Sequence, residues 1–391
     1  VVVAVDANGA DRGPAEVAAG AVLAARQGAR VLLFGPVEEM GILATAPAGG
    51  VEAVDAPLSI AKSPDPARAA RASPEASIVQ AARAVAEGRA QALVCAGGTG
   101  AALAAGLFNI KRARGIHRPA LALPLPIPGP AGGHTVVLLD VGANAQAREE
   151  HLVQFAFMGA ALARTVLDIS SPRVGLLSNG EERERGSPLV VEARAQLERR
   201  LQAAAQGRAG ALAGMRGAAV RDGASESVER LAAGGSPGYE PPFELVGNVE
   251  GGDLTSGAAD VIVTDGFTGN IALKLIEGVS QTMLHAIRDA ALSTPRAQLG
   301  GLLLRPALRS FREEIDPEGQ GGAYLLGLRR LGVVPHGSFT RHGFAQAILR
   351  AARGAQEDLV GRTHAALEQA GALRSAGGPP PSAPDASLQK R

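Results

Sequence analysis

The sequence predicts an α/β fold, with helices layered on both faces of a mostly parallel sheet, and three observations carry that expectation. Short apolar, β-branched runs alternate with Ala-rich helical stretches along most of the 391 residues. The chain is 46% hydrophobic but only 3% aromatic and has no Trp, so its core must be built largely from Ala, Val, Leu and Ile. Five apolar runs end in a loop of Gly with Asp, Asn or Thr, followed by a helical pattern. A parallel sheet repeats that join at the carboxyl ends of its strands.

Taken in order, the apolar runs predict strands over 1–6, 30–35, 50–55, 92–96, 135–141, 173–178 and 260–265. Helices are expected over 14–26, 74–87, 101–110, 150–167 and 270–292, the second with Ser73 as its N-cap and Pro74 at its first position. Residues 119–133 (PALALPLPIPGPAGG) hold too many prolines for a helix and read as an extended connector. Residues 196–242 read as a helix running into a flexible surface insertion, and 374–391 as a disordered tail, leaving one catalytic domain over 1–373. Pro306 divides the stretch 299–311 (LGGLLLRPALRSF) into two short amphipathic pieces. Their arginines, Arg305 and Arg309, followed by Arg312, are candidate docking residues.

Composition excludes several classes. A formal net charge of +1 gives no global basic field for nucleic acid. Cys95 is the only cysteine, so neither an intrachain disulfide nor a Cys-rich zinc site is available. The longest uncharged stretch, 90–110, approaches membrane-spanning length but is broken by Gly97-Gly98-Thr99-Gly100. The chain opens directly on an apolar strand pattern without a basic leader, which places the expected address in the cytoplasm.

The five loops are Val5 to Asp11, Ala96 to Gly100, Asp140 to Asn144, Ser178 to Glu182 and Asp265 to Asn270. Each alone is what any tight strand-to-helix turn requires. Together they suggest one shared crevice in which glycines admit a ligand to the backbone and helix-opening N–H groups hold an anion. A sixth segment, GNVEGGD at 247–253, brings Asn248. His336 stands in PHGS after the apolar Val333-Val334. The common alternatives fail on inspection. No dinucleotide fingerprint, Gly-Lys-Ser/Thr phosphate loop, G-x-S-x-G elbow or H-E-x-x-H pair occurs, and Cys95 lies inside an apolar strand. What remains is an anion site without a protein nucleophile, and no cofactor or metal is expected.

At these loops the sequence resembles the phosphate acyltransferase family of bacterial phospholipid synthesis. The likeness rests on VDANGAD (5–11), CAGGTGA (95–101), LLDVGAN (138–144), VGLLSNGEE (174–182), GNVEGGD (247–253), DGFTGN (265–270) and HGS (336–338). It departs from the family pattern at Gly98 (usually Asn), Arg185 (usually Lys) and Gly252 (usually Arg). The resemblance implies an isocitrate/isopropylmalate-dehydrogenase-like α/β/α fold and a homodimer in peripheral contact with the membrane. It also implies transfer of an acyl group from acyl carrier protein (ACP) to inorganic phosphate, feeding a membrane glycerol-3-phosphate acyltransferase. An acyl-CoA-using phosphotransacylase and a non-catalytic acyl-ACP-binding protein are the alternatives.

The chemistry needs phosphate placed against a thioester carbonyl, with the developing oxyanion stabilised. The expected phosphate ligands are Gly97, Gly98, Thr99 and Gly100, with Gly142, Asn144 and a helix start at Asn270. Asp6, Gly9, Gly180, Gly266 and Gly269 shape the same site, and Arg185 or Lys274 balances the charge. His336 is the expected proton donor to the leaving sulfur, and Asn248 or Asn270 the expected donor to the oxyanion. The loop acids Asp6, Asp11, Asp140 and Asp265 repel phosphate, so they are expected to orient loop N–H groups or cap helices.

Overall fold

The computed structural model describes residues 1–45, 49–129, 133–221 and 242–374, with the side chains of 42–45, 207–221 and 312–313 left aside. The expected insertion over 196–242 lies partly, and the tail over 374–391 almost wholly, outside these residues. Eleven strands form one sheet: β1 Val2–Asp6, β2 Arg30–Gly35, β3 Val51–Asp55, β4 Ala92–Cys95, β5 Ala120–Ile127, β6 His134–Leu139, β7 Arg173–Leu177, β8 Glu244–Val249, β9 Val261–Val263, β10 Ala323–Leu326 and β11 Leu331–Val334. Their order is β3-β2-β1-β4-β11-β10-β5-β6-β9-β7-β8.

The α/β expectation holds, but the mostly parallel, dehydrogenase-like sheet does not. The sheet is mixed, because β10 runs antiparallel to both β11 and β5, and β5 antiparallel to β6. Three reversals in a row leave the parallel block β6-β9-β7-β8 running opposite to the parallel block β3-β2-β1-β4-β11. The carboxyl ends of the two blocks therefore face opposite edges of one sheet. A single carboxyl-end crevice cannot collect all five loops.

The central reversal passes through the proline-rich stretch expected to be a connector. It forms β5 instead. Pro124 and Pro126 lie beyond the part of β5 that pairs with β10, where β6 is its only described neighbour. Two residues apart, their missing N–H groups fall on one side of the strand, as on an edge strand. β8, β10 and β11 also went unpredicted; the last two are only four residues long and carry no visible alternation.

The helices are α1 Pro14–Arg26, α2 Pro66–Ala72, α3 Ser77–Ala86, α4 Thr99–Ala105, α5 Glu149–Val166, α6 Pro188–Arg221, α7 Gly266–Leu292, α8 Pro295–Glu314, α9 Arg341–Gln356 and α10 Leu359–Gln369. Ser73 does not cap α3: it ends α2, and α3 begins at Ser77. Two buried clusters cover the two faces of the sheet. One packs α1, α5 and α9 and holds most of the buried Phe; the other packs α3 and α4, and both are built largely of Ala, Val and Leu. The 90–110 stretch becomes β4, a loop, α4 and a short π-helical turn (Gly106–Ile110), much of it buried in the second cluster.

α7 and α8 stand apart from this core. Pro306 is accommodated inside one continuous helix, α8, so the two-piece expectation is corrected. Along α7 the residues at every fourth position, Phe267, Ile271, Leu275, Val279, Met283 and Ile287, are 45–64% exposed. Among the described residues no helix is long and apolar enough to cross a membrane.

Candidate functional site

The candidate residues fall into two clusters at opposite edges. The first gathers the ends of β1, β4 and β11. Gly97 has φ +90°, and a Cβ there would lie 2.7 Å from the Gly9 carbonyl oxygen and 3.1 Å from the Gly337 Cα, so only glycine permits this meeting. The Asp11 N–H donates to the Gly337 carbonyl at 2.8 Å, tying the third loop to the first. His336 is exposed, and its Nδ1 lies 2.8 Å from Ser338 Oγ. The Ser338 backbone N–H also points at Nδ1, at 3.3 Å. That donor makes Nδ1 the acceptor, so the neutral ring carries its proton on Nε2.

Beneath these loops lies a buried polar group. Asp6 is 1% exposed and Cys95 fully buried, with Cys95 Sγ 3.5 Å from an Asp6 carboxylate oxygen. The Asn8 N–H donates to Asp6, and the Asn8 side chain donates to the Ala56 carbonyl and Ser77 Oγ. Burial pushes the Asp6 carboxyl up to about 6, against lowering by its bonds to Ser77, Asn8 and Cys95. Burial, reinforced by the Asp6 charge, also raises the Cys95 thiol, which fits an inert sulfur.

α4 opens from this cluster at Thr99. Its N-cap is Gly98, which supplies no side-chain acceptor, and Thr99 and Gly100 are exposed. The first N–H groups of a helix have no partner within it. Here no side chain takes their place.

The second cluster gathers the ends of β6, β7, β8 and β9. Asp140 is fully buried and accepts from the backbone N–H groups of Leu121, Gly142, Ala143 and Asn144 and from Asn144 Nδ2, at 2.8–3.2 Å. Asn144 Nδ2 donates as well to the Pro119 carbonyl at 2.7 Å. The loop N–H groups expected to hold phosphate are thus already bound to a carboxylate. α7 starts at Gly266, not Asn270, and is capped in the same manner. Asp265 accepts from the N–H groups of Phe267 and Thr268 and from Thr268 Oγ1, while the Gly266 N–H donates to the Asn144 carbonyl. A Cβ on Gly269 would sit 1.9 Å from the Asp140 carbonyl oxygen, which explains why the helix can lie directly on the loop.

What the second cluster leaves free is side chains. Asn270 is exposed, and its Cβ lies 4.0 Å from where a Gly142 Cβ would stand. One turn on, Lys274 pairs with Glu277 at 2.7 Å and is 62% exposed. Arg185 lies 3.6 Å from Glu182 and is equally open. Asn248 is buried, and its Nδ2 donates to the carbonyls of Glu182 and Arg185 at 2.7 and 3.1 Å. Its donors hold the Ser178–Gly186 turn, and with it Arg185, in place; they are not available to an oxyanion. Gly180 is buried within that turn.

The three docking arginines were expected together on 299–312. Arg305 and Arg309 lie on α8 beside the exposed Leu302, Leu303 and Leu304; the Arg312 side chain is outside the described residues. Among the described residues no group of His, Cys, Asp and Glu is arranged to hold a metal.

The profile of a family described as "Fatty acid synthesis protein" matches residues 1–362. A phosphate acyltransferase from Heliobacterium modesticaldum is 38% identical over 363 residues, covering 92% of this chain and 95% of the relative. Another from Nitratidesulfovibrio vulgaris is 39% identical over 357 residues, covering 90% of each. Among solved structures, a phosphotransacetylase from Streptococcus pyogenes has a TM-score of 0.52 at 16% identity, with 91% of this chain and 94% of that one covered. The EutD phosphotransacetylase from Staphylococcus aureus gives 0.51 at 16% identity, with 90% and 94% covered. At that identity the likeness shows the fold alone. It is the phosphotransacetylase fold with a mixed sheet, which replaces the dehydrogenase-like expectation.

Proposed function

This chain belongs to the phosphate acyltransferase family, enzymes of fatty-acid and phospholipid metabolism, and we propose that it transfers the acyl group of an acyl-ACP thioester to inorganic phosphate. One observation supports the reading most: the start of α4, which no side chain caps and whose exposed residues Thr99 and Gly100 lie in the cluster that also presents His336. Helix-opening N–H groups without an acceptor suit an anion. Phosphate held there is the nucleophile.

A phosphate oxygen attacks the thioester carbonyl carbon, the C–S bond breaks, and the sulfur leaves as thiolate. The attacking hydrogen phosphate gives up the proton that the thiolate takes, and His336 Nε2–H, with Nδ1 fixed by Ser338, hydrogen-bonds the leaving sulfur. The products are acyl phosphate and ACP. Asn270, with no partner among the described bonds, lies in the other cluster and cannot reach the oxyanion of a thioester attacked at α4. Arg185 and Lys274, each shared with only one glutamate, stand in the other cluster and do not contact a phosphate held at α4. Asn248 holds the turn that carries Arg185.

β4 and β6, which carry the Gly97 and Asp140 loops, stand four strand spacings apart, about 19 Å across the sheet, and end at opposite edges. No single phosphate contacts both, and neither does one thioester group, whose oxygen and sulfur are bonded to the same carbon. The exposed ridge of α7 supports a homodimer, because an i±4 ridge is the surface that packs into the groove of another helix. Leu302 to Leu304 beside Arg305 support peripheral contact with the cytoplasmic face of the membrane, where a glycerol-3-phosphate acyltransferase would consume the product.

Incubation with acyl-ACP and phosphate, followed by direct detection of acyl phosphate, tests the activity. Matched acyl-CoA in a parallel reaction separates the two donors. Replacing His336 with Ala should lower kcat about 100-fold without altering the fold; unchanged turnover removes the histidine from the mechanism.

A further inference from the structure

The segment 111–118 (KRARGIHR) runs from the π-helical turn after α4 to β5. Lys111, Arg112, Arg114 and Arg118 are all exposed on it. The β10–β11 turn joins them, because Lys111 accepts from the Arg329 N–H and Arg112 bridges to Leu328, which brings in the exposed Arg329 and Arg330. None of these six forms an ion pair among the described residues.

Two histidines lie in the same place. His117 and His151 have ring centroids 5.8 Å apart. Burial pushes His151 down to about 4, with help from His117, Arg118 and Arg148. Burial lowers His117 too, where Glu150 opposes and Arg374, Arg112 and Arg148 reinforce. Glu149 and Glu150 are the acids at the start of α5, too few to neutralise the patch. The net charge of the whole chain is only +1, so this is a local concentration and not a reflection of composition.

Its place matters as much as its sign. The next residue, Pro119, accepts from Asn144 Nδ2 and so belongs to the Asp140 loop. The basic patch therefore borders the cluster that carries Asn270. We propose that this patch is the docking surface for the acidic carrier protein that delivers the acyl thioester. Charge complementarity brings the acidic protein to 111–118 and 329–330. The assignment rests on the acyl-ACP reading above, and it moves the docking site away from Arg305, Arg309 and Arg312.

The test compares the parent protein with the Arg114→Glu, Arg329→Glu, Arg330→Glu triple variant, and with Arg→Gln changes at the same positions. Steady-state KM is measured for acyl-ACP and for the same acyl group on CoA, and apo-ACP binding is followed by calorimetry. The expected result is a KM for acyl-ACP raised by at least about tenfold, more for Glu than for Gln, with kcat within about twofold. Activity on acyl-CoA, where present, should not move, which also shows the variant is folded. Apo-ACP binding should weaken in parallel and grow more salt-sensitive in the parent than in the variant. An unchanged KM with unchanged apo-ACP binding overturns the proposal, as does loss of binding to anionic phosphatidylglycerol vesicles instead. If the parent makes no acyl phosphate from any donor, the activity reading fails, and calorimetry alone still decides the docking site.

Discussion

Asp6 and Asp140 end strands in the two opposed blocks, and both are buried, yet their surroundings differ. Asp140 accepts from four backbone N–H groups and one side-chain amide. Asp6 accepts a single backbone N–H, from Asn8, with Ser77 and a weak thiol contact, and burial raises its carboxyl to about 6. The same contrast repeats at the helix starts. Asp265 caps α7 with its own carboxylate, while Gly98 leaves α4 without one. A carboxylate that gathers amides spends the anion-binding capacity of its loop on the fold. An anion from solution is better served where that internal acid is missing. Gly-rich loops that look alike in sequence thus divide into braces and binding sites.

The largest effect should come from breaking the brace. In Asp140→Ala four backbone donors lose their acceptor, and Leu121 and Asn144 lie buried. Orphaned buried donors cost about 1–3 kcal/mol each, so a loss of roughly 4 kcal/mol is expected from denaturant midpoints. A loss below about 1 kcal/mol would mean water replaces the carboxylate freely, and the distinction between the loops would collapse.

Asp6 should behave in the opposite sense. Its folded value lies near 6 against an ordinary 3.8. Its stabilising contribution is therefore fully present below about pH 4 and is lost as pH rises through 6. A shift of that size is worth about 3 kcal/mol at most. The difference in unfolding free energy between the parent and Asp6→Asn should fall by up to that amount between pH 4 and 6 and stay flat above. A difference curve with no slope there would show that Asp6 is better supplied with donors than its bonds suggest.

How far these roles were readable in the sequence follows from the same physics. The strand-to-helix joins at Asp6, Asp140 and Asp265 were legible because an apolar run, an acid and a glycine are local signals. That acids would orient N–H groups or cap helices was legible too, from repulsion of phosphate, and Asp140 and Asp265 do so. Which edge each loop occupies was not. It depends on β10 and β5, one four residues long and the other carrying Pro124 and Pro126, and only their pairing reveals the three reversals. Asn248 looked like a ligand because a polar residue after an apolar run can point anywhere. Its partners are carbonyls more than 60 residues earlier in the chain. The basic patch was in plain view at 111–118, but its second half comes from a turn more than 200 residues later.

The comparison is sharpest when one loop is converted into the other. In Gly98→Asp the new carboxylate stands where Asp265 stands in α7 and can accept from Gly100 and Ala101. A Cβ at 98 lies 3.1 Å from Ala61, so Gly98→Ala is the steric control. The Asp variant should raise the KM for phosphate by at least about tenfold, because a fixed negative charge then occupies the amides. The Ala control should change it less than about threefold on that account.

Asp265→Ala is the reverse case and the smallest effect. It strips the cap from α7, frees the Phe267 and Thr268 amides, and should cost about 1 kcal/mol of stability. The phosphate KM should not fall, because the Asp140 carboxylate still sits against the neighbouring loop. If it falls instead, an open helix start binds phosphate even beside a buried acid. The two clusters would then differ only in which helix happens to be capped.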